Sequence, residues 1–106
     1  MDAHRLAEER SLAYHRMVAE RIERDPGIVE RARERVRSWL LEGRSPYYAR
    51  AWDEVLSGAP DRLRAALVSD TAEARALRQA TPFAGVLDPR ERWRLWRDVH
   101  ARTMEP

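Results

Sequence analysis

The clearest pattern in the chain lies at residues 26–42, which read PGIVERARERVRSWLLE. Apolar side chains recur there at intervals of one, three or four positions, at Ile28, Val29, Ala32, Val36, Trp39 and Leu40. This spacing places them along one side of an α-helix, while arginine and glutamate fill the other faces. Gly43 suits the left-handed residue that often ends a helix. The stretch therefore predicts an amphipathic helix that buries one stripe against its neighbours.

Start signals elsewhere predict that the whole chain is helical. A capping side chain followed by a proline, whose backbone angle fits a first helical turn, occurs at Asp25–Pro26, Ser45–Pro46 and Asp88–Pro89. Glu91 follows Asp88 at the spacing of a capping box, and Glu73 follows Asp70 in the same way. The predicted helices cover residues 3–24, 26–42, 46–57, 61–68, 71–80 and 89–102.

One segment between the last two helices is apolar without being helical. Residues 81–87 read TPFAGVL, and Pro82 and Gly85 both disfavour a continuous helix. No stretch alternates apolar and polar residues as a half-buried strand would. With 106 residues the chain is long enough for one core and too short for two. We predict an all-α fold, a single domain over residues 1–106 built as a bundle of five or six short helices.

The composition excludes several classes of protein. The chain has no cysteine, which rules out disulfides, thiolate zinc sites, iron–sulfur clusters and cysteine nucleophiles. No apolar run reaches the ~18 residues that span a bilayer, and the polar N-terminal sequence does not resemble a signal peptide. We therefore expect a cytoplasmic protein.

The charge of the chain gives little guidance by itself. All 20 basic residues are arginine, yet the formal net charge is only +2. A nucleic-acid-binding protein usually has a larger excess of positive charge. In the second helix Glu30 and Glu34 neutralise neighbouring arginines at a spacing of three positions, as on an ordinary solvated helix face. A basic surface must therefore arise from the folded geometry.

The first helix carries the residues that most resemble catalytic or metal-binding groups. His4, Glu8, Ser11 and His15 follow one another at spacings of four, three and four, so they share a helix face. Such spacings often arise by chance, and we expect this face to be solvated. The chain also lacks phosphate-binding loops, nucleophile elbows and zinc-protease motifs. We predict no catalytic residues, no metal site, no cofactor and no enzymatic activity.

The last predicted helix carries a more suggestive group of residues. Arg90, Arg94 and Arg97 fall at i, i+4 and i+7, beside Trp93 and Trp96. Arginine forks next to indoles can bind phosphates and stack on bases, or form the centre of a protein interface. Alternatively, both indoles belong to the core. Because tryptophan and arginine are enriched at interfaces, we favour a protein partner.

Three segments of the chain resemble a known family. They are LRQATPFAGVLDPRERWRLWR at residues 77–97, SLAYH at 11–15 and PYYARAW at 46–52. Together they resemble small all-helical antitoxins of the MenA kind, encoded beside bacterial nucleotidyltransferase-like toxins. The resemblance implies an antitoxin that binds and neutralises a tRNA-modifying toxin by protein–protein contact. It supplies no catalytic residues for this chain.

We assign the predicted contacts as follows. The partner-binding residues are Pro82, Phe83, Trp93, Trp96 and Arg97, an apolar surface edged by a guanidinium. Occlusion of the toxin's nucleotide or tRNA site is the simplest way for such a surface to inhibit. The alternative is a regulatory protein that binds DNA or RNA through Arg90, Arg94 and Arg97. No membrane contact is expected.

Overall fold

Six α-helices form the computed structural model, which describes residues 2–103. The helices are α1 (Ala3–Arg24), α2 (Gly27–Glu42), α3 (Pro46–Ser57), α4 (Pro60–Val68), α5 (Ala72–Gln79) and α6 (Pro89–Thr103). Each predicted boundary is correct to within one residue. The prediction of an all-α, single-domain bundle is confirmed. No helix within residues 2–103 combines the length and apolar character needed to cross a membrane.

The capping box predicted at the start of α6 is present. Its two bonds are reciprocal: Glu91 N–H donates to the Asp88 carboxylate at 2.9 Å, and Asp88 N–H donates to the Glu91 carboxylate at 3.2 Å. Gly43 ends α2 with a φ of 70°, as predicted for a left-handed cap. Local sequence signals therefore specify both of these helix ends.

Two other predicted caps differ in the structure. The cap of α5 is Thr71, whose hydroxyl accepts the N–H of Ala74 at 3.1 Å, so the prediction of Asp70 is wrong. Asp70 instead pairs with Arg75 at 2.8 Å, an alternative available to a charged carboxylate but not to a hydroxyl. Ser45 stands at the start of α3, but at a φ of 43° its hydroxyl caps nothing.

The core lies around α1, which packs against α2, α4, α5 and α6. Its centre is Trp52 of α3, which is fully buried and donates its indole N–H to Leu77 O at 2.9 Å. The most deeply buried side chains of the same core cluster are Val18, Val36, Leu67, Phe83 and Leu87, and Val99 of α6 is buried outside that cluster. Leu40 was expected in the buried stripe of α2, yet it is 36% exposed because it lies at the last turn.

The segment 81–87 is fixed by side chains from two helices. Tyr14 of α1 donates its hydroxyl to Phe83 O at 2.6 Å, and Arg35 of α2 donates to Ala84 O at 2.9 Å. Arg21 of α1 reaches Val86 O at 3.4 Å. These bonds satisfy carbonyls that have no helical partner, so the segment is a built part of the bundle.

Helix α6 is the least enclosed element of the bundle. Among the described helices, α1 is the one that it contacts. Arg21 of α1 forms a bidentate ion pair with Glu91 at the start of α6, and these hydrogen bonds lower the pKa of Glu91 to about 2. The opposite side of α6 faces solvent and is therefore accessible to a partner.

Candidate partner-binding face and adjacent cleft

The packing of α6 divides its apolar residues into an inner and an outer set. Val99 is 1% exposed, and Leu95 and Trp96 pack against the core while remaining partly accessible. Trp93, by contrast, is 59% exposed. The two tryptophans therefore have different environments, although the sequence places them one helical turn apart.

Trp93 and Arg97 form a stacked pair on the outer side of α6. The guanidinium carbon of Arg97 lies 4.6 Å from the centre of the Trp93 ring, within the range of a cation–π interaction. This contact holds a large indole in place while leaving much of it in water. We call the surface formed by Trp93, Trp96 and Arg97 the α6 face.

A shallow groove of about 580 Å³ runs along the α6 face. Its lining consists of Arg10, Trp93, Trp96, Arg97, Asp98, His100 and Ala101. Trp96 forms its inner wall, with the Tyr14 ring packed edge-on at 6.3 Å and the Arg10 guanidinium at 5.9 Å from the indole centre. Trp96 thus links the core to the surface.

Two of the predicted partner-binding residues do not reach this surface. Phe83 is 1% exposed, and its ring packs edge-on against Trp52 at 5.7 Å. Pro82 is also buried. Both are interior because the bonds from Tyr14 and Arg35 draw the segment 81–87 onto the bundle. Pro82 and Phe83 are therefore not accessible on the surface of this structure, and their predicted contact with a partner stays a prediction.

The arginines of the alternative nucleic-acid interface are exposed. Arg90, Arg94 and Arg97 all lie at the surface of α6. Within residues 2–103, no hydrogen bond or ion pair involves the side chain of Arg90 or Arg94. Their charges are therefore not neutralised by the described part of the chain, whereas Arg97 lies over an indole.

The sequence predicts that the polar face of α1 is solvated, but the structure buries part of it. His4 is exposed and pairs with Glu8 at 3.0 Å, but His15 is 2% exposed. Its Nδ1–H donates to Ser11 O at 2.7 Å, so Nε2 accepts the Thr81 hydroxyl at 2.8 Å. Burial lowers the pKa of His15 to about 4, and at neutral pH the ring is therefore uncharged.

A second concavity, which the sequence did not predict, lies between α1, the segment 81–87 and α6. We call it the cationic cleft. Its volume is about 400 Å³, and its lining is Ala7, Arg10, Ser11, Tyr14, His15, Arg78, Thr81, Ala84, Gly85, Arg92 and Trp96. Three of these residues are arginines and none is acidic. Such a lining favours anions.

Arg78 is the least expected residue of the cationic cleft. It is 3% exposed, and its Nη1 donates to Ala66 O at 3.1 Å and Ser69 O at 2.7 Å, at the end of α4. Burial lowers its pKa below the ordinary arginine value. The one available signal is that Arg78 follows the buried Ala74 by four positions, on the same face of α5.

Chemically, these surfaces offer binding groups. Within residues 2–103 no group of three or more histidine or acidic side chains is arranged to hold a metal ion. The α6 face combines apolar area with a fixed guanidinium, and the cationic cleft combines guanidiniums with hydroxyls.

Compared with family models, curated proteins and solved structures, the chain matches none, so the antitoxin resemblance stays a prediction.

Proposed function

We propose that this protein is an antitoxin that binds a nucleotidyltransferase-like, tRNA-modifying toxin through the α6 face. The observation that supports a protein contact is the exposure of Trp93, 59%, combined with the Arg97 guanidinium stacked 4.6 Å from its ring. The identity of the partner comes from the sequence resemblance described above.

The α6 face has the properties expected of an interface centre. Tryptophan and arginine are the residue types most enriched among positions that dominate binding energy. The Trp93 indole already has its rotamer restricted by Arg97, so less side-chain entropy is lost when a partner covers it. Because α6 contacts α1 alone among the described helices, its outer side can be covered without displacing another element.

Inhibition follows most simply from occlusion. A helical domain seated over the nucleotide or tRNA site of the toxin excludes the substrate without changing the toxin's shape. This mechanism requires direct contact and no chemistry by the antitoxin.

The test is co-expression with the product of the neighbouring gene, which the resemblance implies is a nucleotidyltransferase-like toxin. We expect Trp93→Ala to lose co-purification and to restore tRNA modification by the toxin, while the helical circular dichroism signal persists. Leu41→Ala is the matched control. Leu41 is 85% exposed in the last turn of α2, a helix that does not contact α6. Equal retention of the toxin by both variants would exclude the α6 face.

A nucleic-acid-binding regulator is the second candidate. The exposed and unneutralised side chains of Arg90 and Arg94, within residues 2–103, favour it. Each phosphate contact should contribute a slope of about −0.9 to the dependence of log affinity on log salt concentration. Retention on DNA that falls steeply with salt, and weakens in Arg90→Gln and Arg94→Gln, would support this function. Retention that does not depend on salt would exclude it.

A further inference from the structure

The cationic cleft contains a buried charge, on Arg78, that the carboxylates of Asp70 and Glu8 offset only from a distance. Arg78 is 3% exposed, yet among residues 2–103 no carboxylate lies within ion-pair distance of it. Its Nη1 bonds to carbonyls at the end of α4, where the helix dipole is negative and offsets part of the charge. A buried cation without an anion is costly, so the site favours a ligand that supplies negative charge.

Unused donors accompany that charge. The Nε and Nη2 atoms of Arg78 form no hydrogen bond with residues 2–103, and the buried Nε of Arg10 has no partner there either. Arg92 lines the same cleft and is exposed. Three guanidiniums thus border one cavity from α1, α5 and α6, with no acidic residue in the lining.

The remaining walls suit the organic part of a ligand. Trp96, Tyr14, Ala84 and Gly85 contribute ring and backbone surface, and Ser11 adds a hydroxyl. Gly85 has a φ of 85° and no side chain, so no side chain at this position extends into the cleft. A volume of about 400 Å³ falls within the range of small-molecule sites.

We propose that the cationic cleft binds a small phosphate monoester, with the phosphate between Arg10, Arg78 and Arg92 and its organic part along Trp96. Phosphate is favoured over a single carboxylate because it carries up to two charges and three acceptor oxygens, which three guanidinium forks can share. This site adjoins the toxin contact and shares Arg10 and Trp96 with it, whereas Trp93 and Arg97 do not line the cleft.

His15 provides a direct report of binding. It lines the cleft, where burial, and to a smaller extent the neighbouring positive charge of Arg78, lowers its pKa to about 4. The other groups in contact with it, Ser11, Thr81 and Tyr14, are neutral, and the remaining charged groups of the cleft lining are Arg10 and Arg92. An anion bound beside Arg78 offsets that positive charge, so the pKa of His15 should rise above 4 by the smaller part of the shift that Arg78 causes.

The experiment uses the full chain, with adenosine monophosphate and inorganic phosphate as probes. Calorimetry should give saturable one-to-one binding of adenosine monophosphate, tighter than that of inorganic phosphate, and NMR titration should give a raised pKa for His15. Arg92→Gln should weaken the binding by about tenfold, the effect of one lost charge-assisted hydrogen bond. Arg92 is exposed, so the variant should fold normally.

Arg90→Gln is the matched control, because it removes the same charge from the same helix outside the cleft lining. Equal weakening in both variants would mean diffuse attraction and would overturn the proposal. The proposal would also be overturned if neither adenosine monophosphate nor inorganic phosphate bound saturably. An acidic peptide that binds in an Arg92-dependent manner where adenosine monophosphate does not would overturn it as well, since the cleft would then receive a protein segment.

Discussion

Trp52 and Trp93 are the same residue type on two amphipathic helices, and they have opposite environments. Trp52 is 0% exposed and uses its indole N–H to bond Leu77 O. Trp93 is 59% exposed and is covered only in part, by Arg97. The difference follows from the neighbours: α3 packs against α2, α4 and α5, whereas α6 packs against α1. Tertiary contacts therefore determine whether an apolar helix face is buried or exposed.

The N-terminal caps of the same two helices differ in the opposite sense: the peripheral helix α6 has the complete cap, and the buried helix α3 does not. Helix α6 begins with a complete capping box between Asp88 and Glu91. Helix α3 follows Ser45, whose hydroxyl forms no capping bond. A helix with three neighbours can do without a good cap, while a peripheral helix depends more on its local sequence.

The largest effect should come from removing the buried indole. Trp52→Ala should lower the free energy of unfolding by about 3–5 kcal/mol, because it leaves a cavity and removes the indole N–H bond to the Leu77 carbonyl. Trp93→Ala should change it by no more than about 0.5 kcal/mol, as is usual at the surface. Urea denaturation of both variants measures the difference. Similar losses would mean that Trp93 is a core residue, and the α6 face would have to be abandoned.

The sequence could predict what depends on neighbours along the chain. Helix boundaries follow from caps, prolines and apolar spacing, so all six helices were found to within one residue. The Asp88–Glu91 box and the left-handed Gly43 are equally local. At α5 two capping residues stood side by side, and the choice of Thr71 over Asp70 depends on the competing ion pair with Arg75.

The environment of the candidate site depends on contacts between distant residues, which no local pattern encodes. Phe83 is interior because Tyr14, 69 positions earlier, bonds its carbonyl. His15 is buried because it meets Thr81, 66 positions later. Arg78 is the hardest case, since a charged residue on a helix is expected in solvent unless a partner is known. Here the partners are carbonyls of α4, which carry no side-chain signature.

The next largest effect concerns two histidines that differ as the tryptophans do. His15 is buried and His100 is exposed. The pKa of His15 falls from 6.5 to about 4 on folding, so the unfolded chain binds more protons between these values. Stability from this group is complete above pH 6.5 and declines as the pH falls toward 4, by about 3 kcal/mol in total.

Urea denaturation at several pH values measures this dependence. His15→Gln should flatten the decline between pH 6.5 and 4, whereas His100→Gln should leave it as in the parent chain. Because other groups also titrate in this range, the comparison between the two variants carries the result. A decline that is unchanged in His15→Gln would show that the buried ring does not couple protonation to folding.

The smallest effect tests the relation between caps and packing. Asp88→Ala should destabilise the protein by about 1 kcal/mol, because the first turn of α6 loses a capping acceptor. Ser45→Ala should change stability by less than about 0.5 kcal/mol, since no capping bond is lost at α3. Thermal and urea unfolding measure both values, and amide exchange within α6 locates the loss in Asp88→Ala. A larger loss of stability in Ser45→Ala than in Asp88→Ala would contradict this explanation. It would mean that α3 depends on Ser45 even though three helices pack against it.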